Sequence, residues 1–375
     1  MANEFKPVKF GCGRYFQAPG CIEVLPQEIK MAHGTKALIV AGKNGLQAAG
    51  AKIEQLLKDA EIPYYIYTME TDCTYETLAY LKETVVPEQK PDIVISVGGG
   101  KVMDMGKATG HGCDLPVINV PTSVATVNCW SAMSVMYTMD HHPIDRIWHA
   151  KEHSAVILDT EILVNAPVKL FASGMADAFA NYIETGLMME YYDLHSTPVG
   201  MYTSKILAGI TNDILLNKGE KAYQDCIKHE VTAEFDACVY ANIATTAMAA
   251  AANYNNHKAL IGGGKKGATF AHALYYACKD VFTEETKEYL HGEIVGLGCQ
   301  ASMYAYERPE FETKNFHRYM KAIGQPMTLR EIGIDPTDAN MKKLVDSMMV
   351  VWGKRPEYQY PIIMDALQYI KGEVF

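Results

Sequence analysis

The stretch "DIVISVGGGKVMDMGKA", residues 92–108, decides how the rest of the chain is read. A run of apolar, mostly β-branched residues ends in three consecutive glycines, Gly98, Gly99 and Gly100, and a helical pattern follows. A strand that is apolar on both faces belongs in a parallel sheet covered on both sides. Glycines between such a strand and a helix let backbone N–H groups close on an anion at the positive end of the helix. A tight turn needing positive φ accounts for one glycine, hardly for three in a row. The spacing departs from GxGxxG, because the position three after Gly100 is Met103. Asp104 and Lys107 stand three apart, on one helix face near that end. The plain alternative for this pair is a solvated surface contact.

Outward from this stretch, "KALIVA" (36–41), "YYIYT" (64–68) and "PVINVP" (116–121) read as further buried strands, with helical "LQAAGAKIEQLLKDA" and "YETLAYLKETV" among them. Such alternation predicts a doubly wound parallel sheet, a Rossmann-like α/β domain over residues 1–164. "SAMSVMYTM" and "DRIWHA" flank "DHHP" and predict a β-hairpin with His141 and His142 at its surface, after which "AVILD" (155–159) returns to the sheet. From "NAPVKLFASGMADAFANYIET" onward the periodicity is almost wholly helical, which predicts an all-α domain over 165–375 and a cleft between the two. A second glycine stretch, "GGGKKG" (262–267), satisfies GxGxxG formally. No proper strand feeds it, so it reads as a loop before a helix, with Lys265 and Lys266 solvated.

Composition narrows the function classes. The chain has 375 residues, 49% hydrophobic and 21% charged, with a net charge of −10. That is ample for buried cores, and with no Lys/Arg-rich run a nucleic-acid surface is not expected. Nine cysteines are scattered without a CxxC pair, which reads as reduced thiols in the cytosol. "MANEFKPVKFG" has no apolar h-region, and the alanine-rich stretch at 241–252 is too short and polar to span a bilayer. A cytoplasmic protein with a small-molecule substrate and neither membrane nor nucleic acid as partner is expected.

Three polar residues interrupt apolar helical patterns. "GMADAFANYIE" carries Asp177, "GATFAHALYYA" carries His272, and "YLHGEIVGLG" puts His291 at the start of an apolar run. Unpaired polar groups in such surroundings are costly. One carboxylate and two imidazoles make up the donor set of a catalytic zinc or ferrous site. Each taken alone reads more readily as a satisfied buried polar residue. Neither HExxH nor the GxSxG elbow of hydrolases is present.

Together with "VPTSVATVNCWSAMSVMY" (120–137), "DTEILVNAPVKLFASGMADAFANYIE" (159–184) and "AHALYYA" (271–277), these motifs resemble the metal-dependent, iron-containing type of alcohol dehydrogenase superfamily. The resemblance is to its glycerol-dehydrogenase-like branch, covers nearly the whole chain, and implies a dehydroquinate-synthase-like architecture. It implies that the glycine turn, with Gly98, Gly99, Gly100 and Lys101, takes the pyrophosphate of NAD(P), and that Asp104 and Lys107 fill the motif's acidic and basic positions. Thr122, Ser131, Met133 and Tyr137 match positions on the nicotinamide side. Asp177, His272 and His291 match the metal ligands one by one. Iron-dependent members carry a further histidine where this chain has Asn181, and many relatives have HxxH where His272 is followed by Tyr275. The first departure favours zinc over ferrous iron, and the second loses an imidazole.

Glycerol dehydrogenases place an aspartate at the position of Val127. Its absence, with Trp130 in "VNCW", favours relatives that act on 2-hydroxy acids and 2-oxo acids, with Val127 and Trp130 lining the substrate. The strand ending "VAGKNG" (40–45) has Gly42 and Lys43 where an NAD-preferring enzyme often has a ribose-binding carboxylate. This favours NADPH, unless Lys43 simply faces solvent. The activity implied is reversible hydride transfer between NAD(P)(H) and a small secondary alcohol or ketone, by a homo-oligomer. Glycerol and dihydroxyacetone are the alternative substrates. A dehydroquinate-synthase-like lyase would need several basic residues and typically a glutamate as first ligand, against Asp177. The same Val127 weakens a glycerol-1-phosphate dehydrogenase, and the retained ligand trio argues against a non-enzymatic nucleotide-binding protein.

Overall fold

A computed structural model describes residues 11–140, 142–189, 199–252, 270–352 and 356–372. His141, the "GGGKKG" stretch and its Lys265 and Lys266 therefore lie outside the described residues. The chain divides into two compact units, one of Lys9–Val168 with Asp225–Ala247, the other built on Lys169–Gln224 and Met248–Phe375. Asp225–Ala247 thus belongs to the sheet-bearing unit although it follows residue 164 in the chain.

Among the described residues the first unit holds eight strands: β1 (Arg14–Ala18), β2 (Ala37–Gly42), β3 (Tyr64–Met69), β4 (Ile93–Gly98), β5 (Val117–Pro121), β6 (Met133–Tyr137), β7 (Pro143–Trp148) and β8 (Ala155–Asp159). Six form one sheet in the order β1-β8-β5-β4-β2-β3, every neighbouring pair parallel. The central strands β4, β5 and β8 are buried along their whole length, as continuous Val/Ile runs require. Strands β6 and β7 form the antiparallel hairpin that the "DHHP" turn predicts.

Sequence alone does not show β1. Its residues, RYFQA, alternate neither in polarity nor in burial, and it pairs only with β8, from Arg14↔Ala155 to Ala18↔Asp159. Asp159, at the end of β8, secures the following turn by accepting the N–H groups of Gly20 and Ile22.

The strand order matters for function. From β2 the chain moves outward to β3, then returns to place β4 on the other side of β2. That reversal is the topological switch point, and ligands of open α/β sheets bind beyond the carboxyl ends of the strands there. Ala41 pairs with Val97, so Gly42 and Gly98 end the two strands side by side.

The second unit is helical. Phe270, Leu274 and Cys278 recur every fourth residue on the helix Phe270–Val281, a spacing that keeps one face inward. That face meets Ile294 and Leu297 of the helix His291–Ala305 and Leu344, Met348, Ile363 and Leu367 from the C-terminal helices in one apolar core. No helix among the described residues is long and apolar enough to cross a membrane. All nine cysteines are free thiols and six are buried. Burial pushes the thiols of Cys129 and Cys278 up to about 12.

Candidate active site: a glycine turn and a three-donor cluster

In the sheet-bearing unit, β4 runs into the helix Gly100–Gly112 through the glycine turn. Gly98 has φ +154°, a conformation that side chains rarely adopt, and a Cβ there would press on Val102 at 3.0 Å. Gly99 is different. Its φ of −87° and ψ of −174° suit any residue. The nearest atom to an added Cβ is the Ser123 hydroxyl, at 3.6 Å. The fold does not demand glycine at 99, whereas an anion approaching the backbone would. Gly99 is the N-cap, and no side chain caps the helix. The first N–H groups of the helix are thus left to a ligand or water. A pyrophosphate fits this cradle.

Asp104 and Lys107 are not a solvated pair, since both are fully buried. Lys107 Nζ lies 2.9 Å from Asp104 Oδ1. It also donates to the carbonyls of Asn128 (2.6 Å), Ser131 (3.0 Å) and Met133. Asp104 Oδ2 accepts the Asn128 amide at 2.8 Å, and the Asp104 carbonyl accepts the Ser134 hydroxyl at 2.7 Å. The helix thereby clamps residues 128–134, the segment that leads into β6, over its own N-terminal turns. Burial and the nearby Lys107 drive the pKa of His153 well below its usual value, so it stays neutral beside the Ser131 carbonyl. Asp104 and Lys107 hold residues 128–134 from within.

Other sequence-predicted residues of this unit lie at the strand ends or are tied to the clamp. Thr122 donates its N–H to the Gly98 carbonyl at 2.9 Å, joining the ends of β4 and β5. Ser131 and Met133 are held through their carbonyls by Lys107. Lys101 pairs with Asp72 at 2.6 Å and lies 4.9 Å above the Tyr137 ring, a grouping the sequence does not reveal because Asp72 comes from the loop after β3. Gly42 and the exposed Lys43 sit at the end of β2. Val127 is partly exposed at the start of a short turn, Val127–Cys129. Trp130 is only 8% exposed and packs on Tyr15, ring centroids 4.9 Å apart, which leaves it little surface for a ligand.

In the helical unit, Asp177 comes from the helix Val168–Met189, His272 from Phe270–Val281, and His291 from the first position of His291–Ala305. Their ligand atoms all lie within 4.8 Å of one another. Asp177 Oδ1 is 3.2 Å from His291 Nε2 and 3.8 Å from His272 Nε2. Burial works to raise the pKa of Asp177, but His291 and then His272 outweigh it and hold the carboxyl below its usual range. An anionic oxygen facing two imidazole nitrogens suits a divalent cation.

His291 is placed by backbone contact. Gly292 donates its N–H to Ser173 Oγ at 3.1 Å, and a Cβ at 292 would stand 1.8 Å from the Ser173 carbonyl oxygen. Only glycine lets this helix start so close to the helix bearing Asp177. Tyr275, where an HxxH motif would supply another imidazole, lays its ring edge-on to His291, centroids 4.3 Å apart. Sequence reasoning misses Glu184, whose carboxylate lies 3.1 Å from His272 Nδ1. Its signal was there, seven residues after Asp177 and hence on the same helix face.

Residues 12–160 match the family model of iron-containing alcohol dehydrogenases. Along the sequence, the chain is 29% identical to a glycerol dehydrogenase of Thermotoga maritima, covering 89% of this chain and 87% of that protein. It is 26% identical to a glycerol dehydrogenase of Escherichia coli, over 95% of each. In fold it matches the crystal structure of glycerol dehydrogenase from Schizosaccharomyces pombe with a TM-score of 0.78, at 22% identity, over 98% of this chain and 91% of that one. The chain is thus similar to glycerol dehydrogenases along nearly its whole length, and residues 12–160, which hold the glycine turn, are similar to the iron-containing alcohol dehydrogenases.

Proposed function

We propose that the chain is a zinc-dependent dehydrogenase of small polyols, interconverting a secondary alcohol and its ketone with NAD(P)(H). The observation that carries this is the convergence of Asp177, His272 and His291 within 4.8 Å. A divalent ion held there supplies Lewis acidity at the substrate oxygen, and bound NAD(P)(H) supplies or accepts the hydride. Asp177 contributes the anionic donor and the two imidazoles the neutral ones. With Asn181 and Tyr275 at the positions of further imidazoles, the trio leaves coordination open to substrate oxygens, and its mixed N/O character suits zinc. Gly99 and Gly100 admit the pyrophosphate to the helix N-terminus, while Thr122, Ser131, Met133 and Tyr137 serve the nicotinamide side. Lys43 attracts a 2′-phosphate, which favours NADPH.

The glycerol dehydrogenases among the relatives support polyols better than the 2-hydroxy acids toward which the sequence leans. One observation keeps the second reading, the aliphatic Val127 in place of a polyol-binding aspartate. A panel at 340 nm on zinc-loaded protein, with dihydroxyacetone, 2-oxobutanoate and 2-oxoglutarate against NADPH and NADH, separates them. Turnover of dihydroxyacetone is expected, and turnover confined to the 2-oxo acids would overturn the polyol assignment. Val127→Asp is expected to raise the ratio of polyol to 2-oxo-acid activity by about tenfold or more, the worth of one charge-assisted hydrogen bond. An unchanged ratio would remove Val127 from substrate choice.

Gly99→Val is expected to weaken NADPH binding by roughly 10- to 100-fold, because it blocks hydrogen bonds to a charged group worth about 1.5–3 kcal/mol. An added Cβ meets nothing closer than the Ser123 hydroxyl at 3.6 Å, so thermal stability should hardly change. Fluorescence titration measures the loss, and an unaltered Kd would end the pyrophosphate assignment.

A further inference from the structure

We propose that Glu184 is a positioning residue of the metal site, fixing His272 so that Nε2 and not Nδ1 is offered to the ion. This rests on the metal reading above. Both Glu184 carboxylate oxygens lie 3.1 Å from His272 Nδ1, and Oε1 also accepts the His272 backbone N–H at 3.3 Å. Two bonds to one residue, one through the ring and one through the main chain, set both the rotation of the imidazole and the height of its helix. A carboxylate can only accept, so Nδ1 carries the proton, and in the neutral imidazole that binds a metal this leaves the lone pair on Nε2. Nε2 is the atom that faces Asp177, at 3.8 Å. A carboxylate on the far nitrogen also makes the ligating one more basic. The Glu184 side chain is 10% exposed, so little water competes for it. Because Glu184 and Asp177 share the helix Val168–Met189, one rigid element carries both a ligand and the group that orients another.

A purely structural role, tying two helices together, predicts lost stability and nothing specific at the ion. Zinc affinity, by competition with a chromophoric chelator, and the visible spectrum of the cobalt-loaded full chain separate the two. Glu184→Ala is expected to lose about 10- to 100-fold in zinc affinity, the range for such supporting partners, and to shift the cobalt bands. Glu184→Gln keeps an acceptor oxygen without the charge, and should recover part of both. If Glu184→Ala does not fold, Glu184→Gln decides alone, a clear loss of affinity supporting the proposal and none overturning it. Affinity within twofold of wild type and an unchanged spectrum, while His272→Ala loses zinc, would leave the metal site standing and end the role of Glu184. Equal zinc binding by wild type and His272→Ala would mean that the metal reading itself had failed, and Glu184 with it.

Discussion

His272→Ala is expected to strip the divalent ion from the chain and cut turnover by roughly three orders of magnitude or more, while NADPH binding persists. Removing one of three donors leaves Asp177 and His291, too few to hold an ion against dialysis. Lewis-acid stabilisation is worth several kcal/mol of barrier, and each 1.36 kcal/mol is tenfold in rate. The glycine turn lies in the other compact unit and shares no residue with the trio, so cofactor affinity gives an internal control. Metal content after dialysis, the rate at 340 nm and an NADPH titration test this together. Turnover surviving in metal-free buffer would defeat the ligand assignment. Loss of all three properties at once would mean a folding defect rather than a missing ligand.

Lys107→Met should produce the largest loss of stability. Lys107 is fully buried, and its ammonium serves one carboxylate and three main-chain carbonyls. Breaking a buried pair by deleting one partner costs about 3–5 kcal/mol, because the other charge stays buried and uncompensated. At roughly 2–4 °C per kcal/mol, the midpoint of the sheet-bearing unit should fall by about 6–20 °C. Adding Asp104→Leu should restore part of that loss by removing the stranded charge. Calorimetry on the single and double variants measures both effects. A fall below about 2 °C for Lys107→Met would show that the clamp contributes little. Cofactor affinity should drop as well, since residues 128–134 lose their anchor.

The parallel sheet was legible because its central strands are buried on both faces and therefore written in Val and Ile. Edge strand β1 was not, since a half-buried edge tolerates Arg14 and Gln17 and finds its place only by pairing with β8. The donor trio could be read because each member interrupts an apolar helix. Asp104 and Lys107 could be placed on one helix face, but a spacing of three does not distinguish a buried clamp from a surface pair. The carbonyls that Lys107 gathers come from 21 to 26 residues further on, and no periodicity encodes such contacts. The packing of Trp130 was equally hidden, because its ring lies against Tyr15, which is far away in sequence.

The buried cysteines give each unit its own clock. Cys129 sits beside the clamp in the sheet-bearing unit, and Cys278 lies on the helix that carries His272. Neither thiol is accessible or ionised to any extent near neutral pH while its surroundings are closed. An alkylating reagent therefore reacts with each only during moments of opening, and the two labelling rates count the excursions of the two units separately. Zinc should slow the first label on Cys278 and NADPH the first on Cys129, so one mass spectrum reads which ligand has steadied which half of the chain.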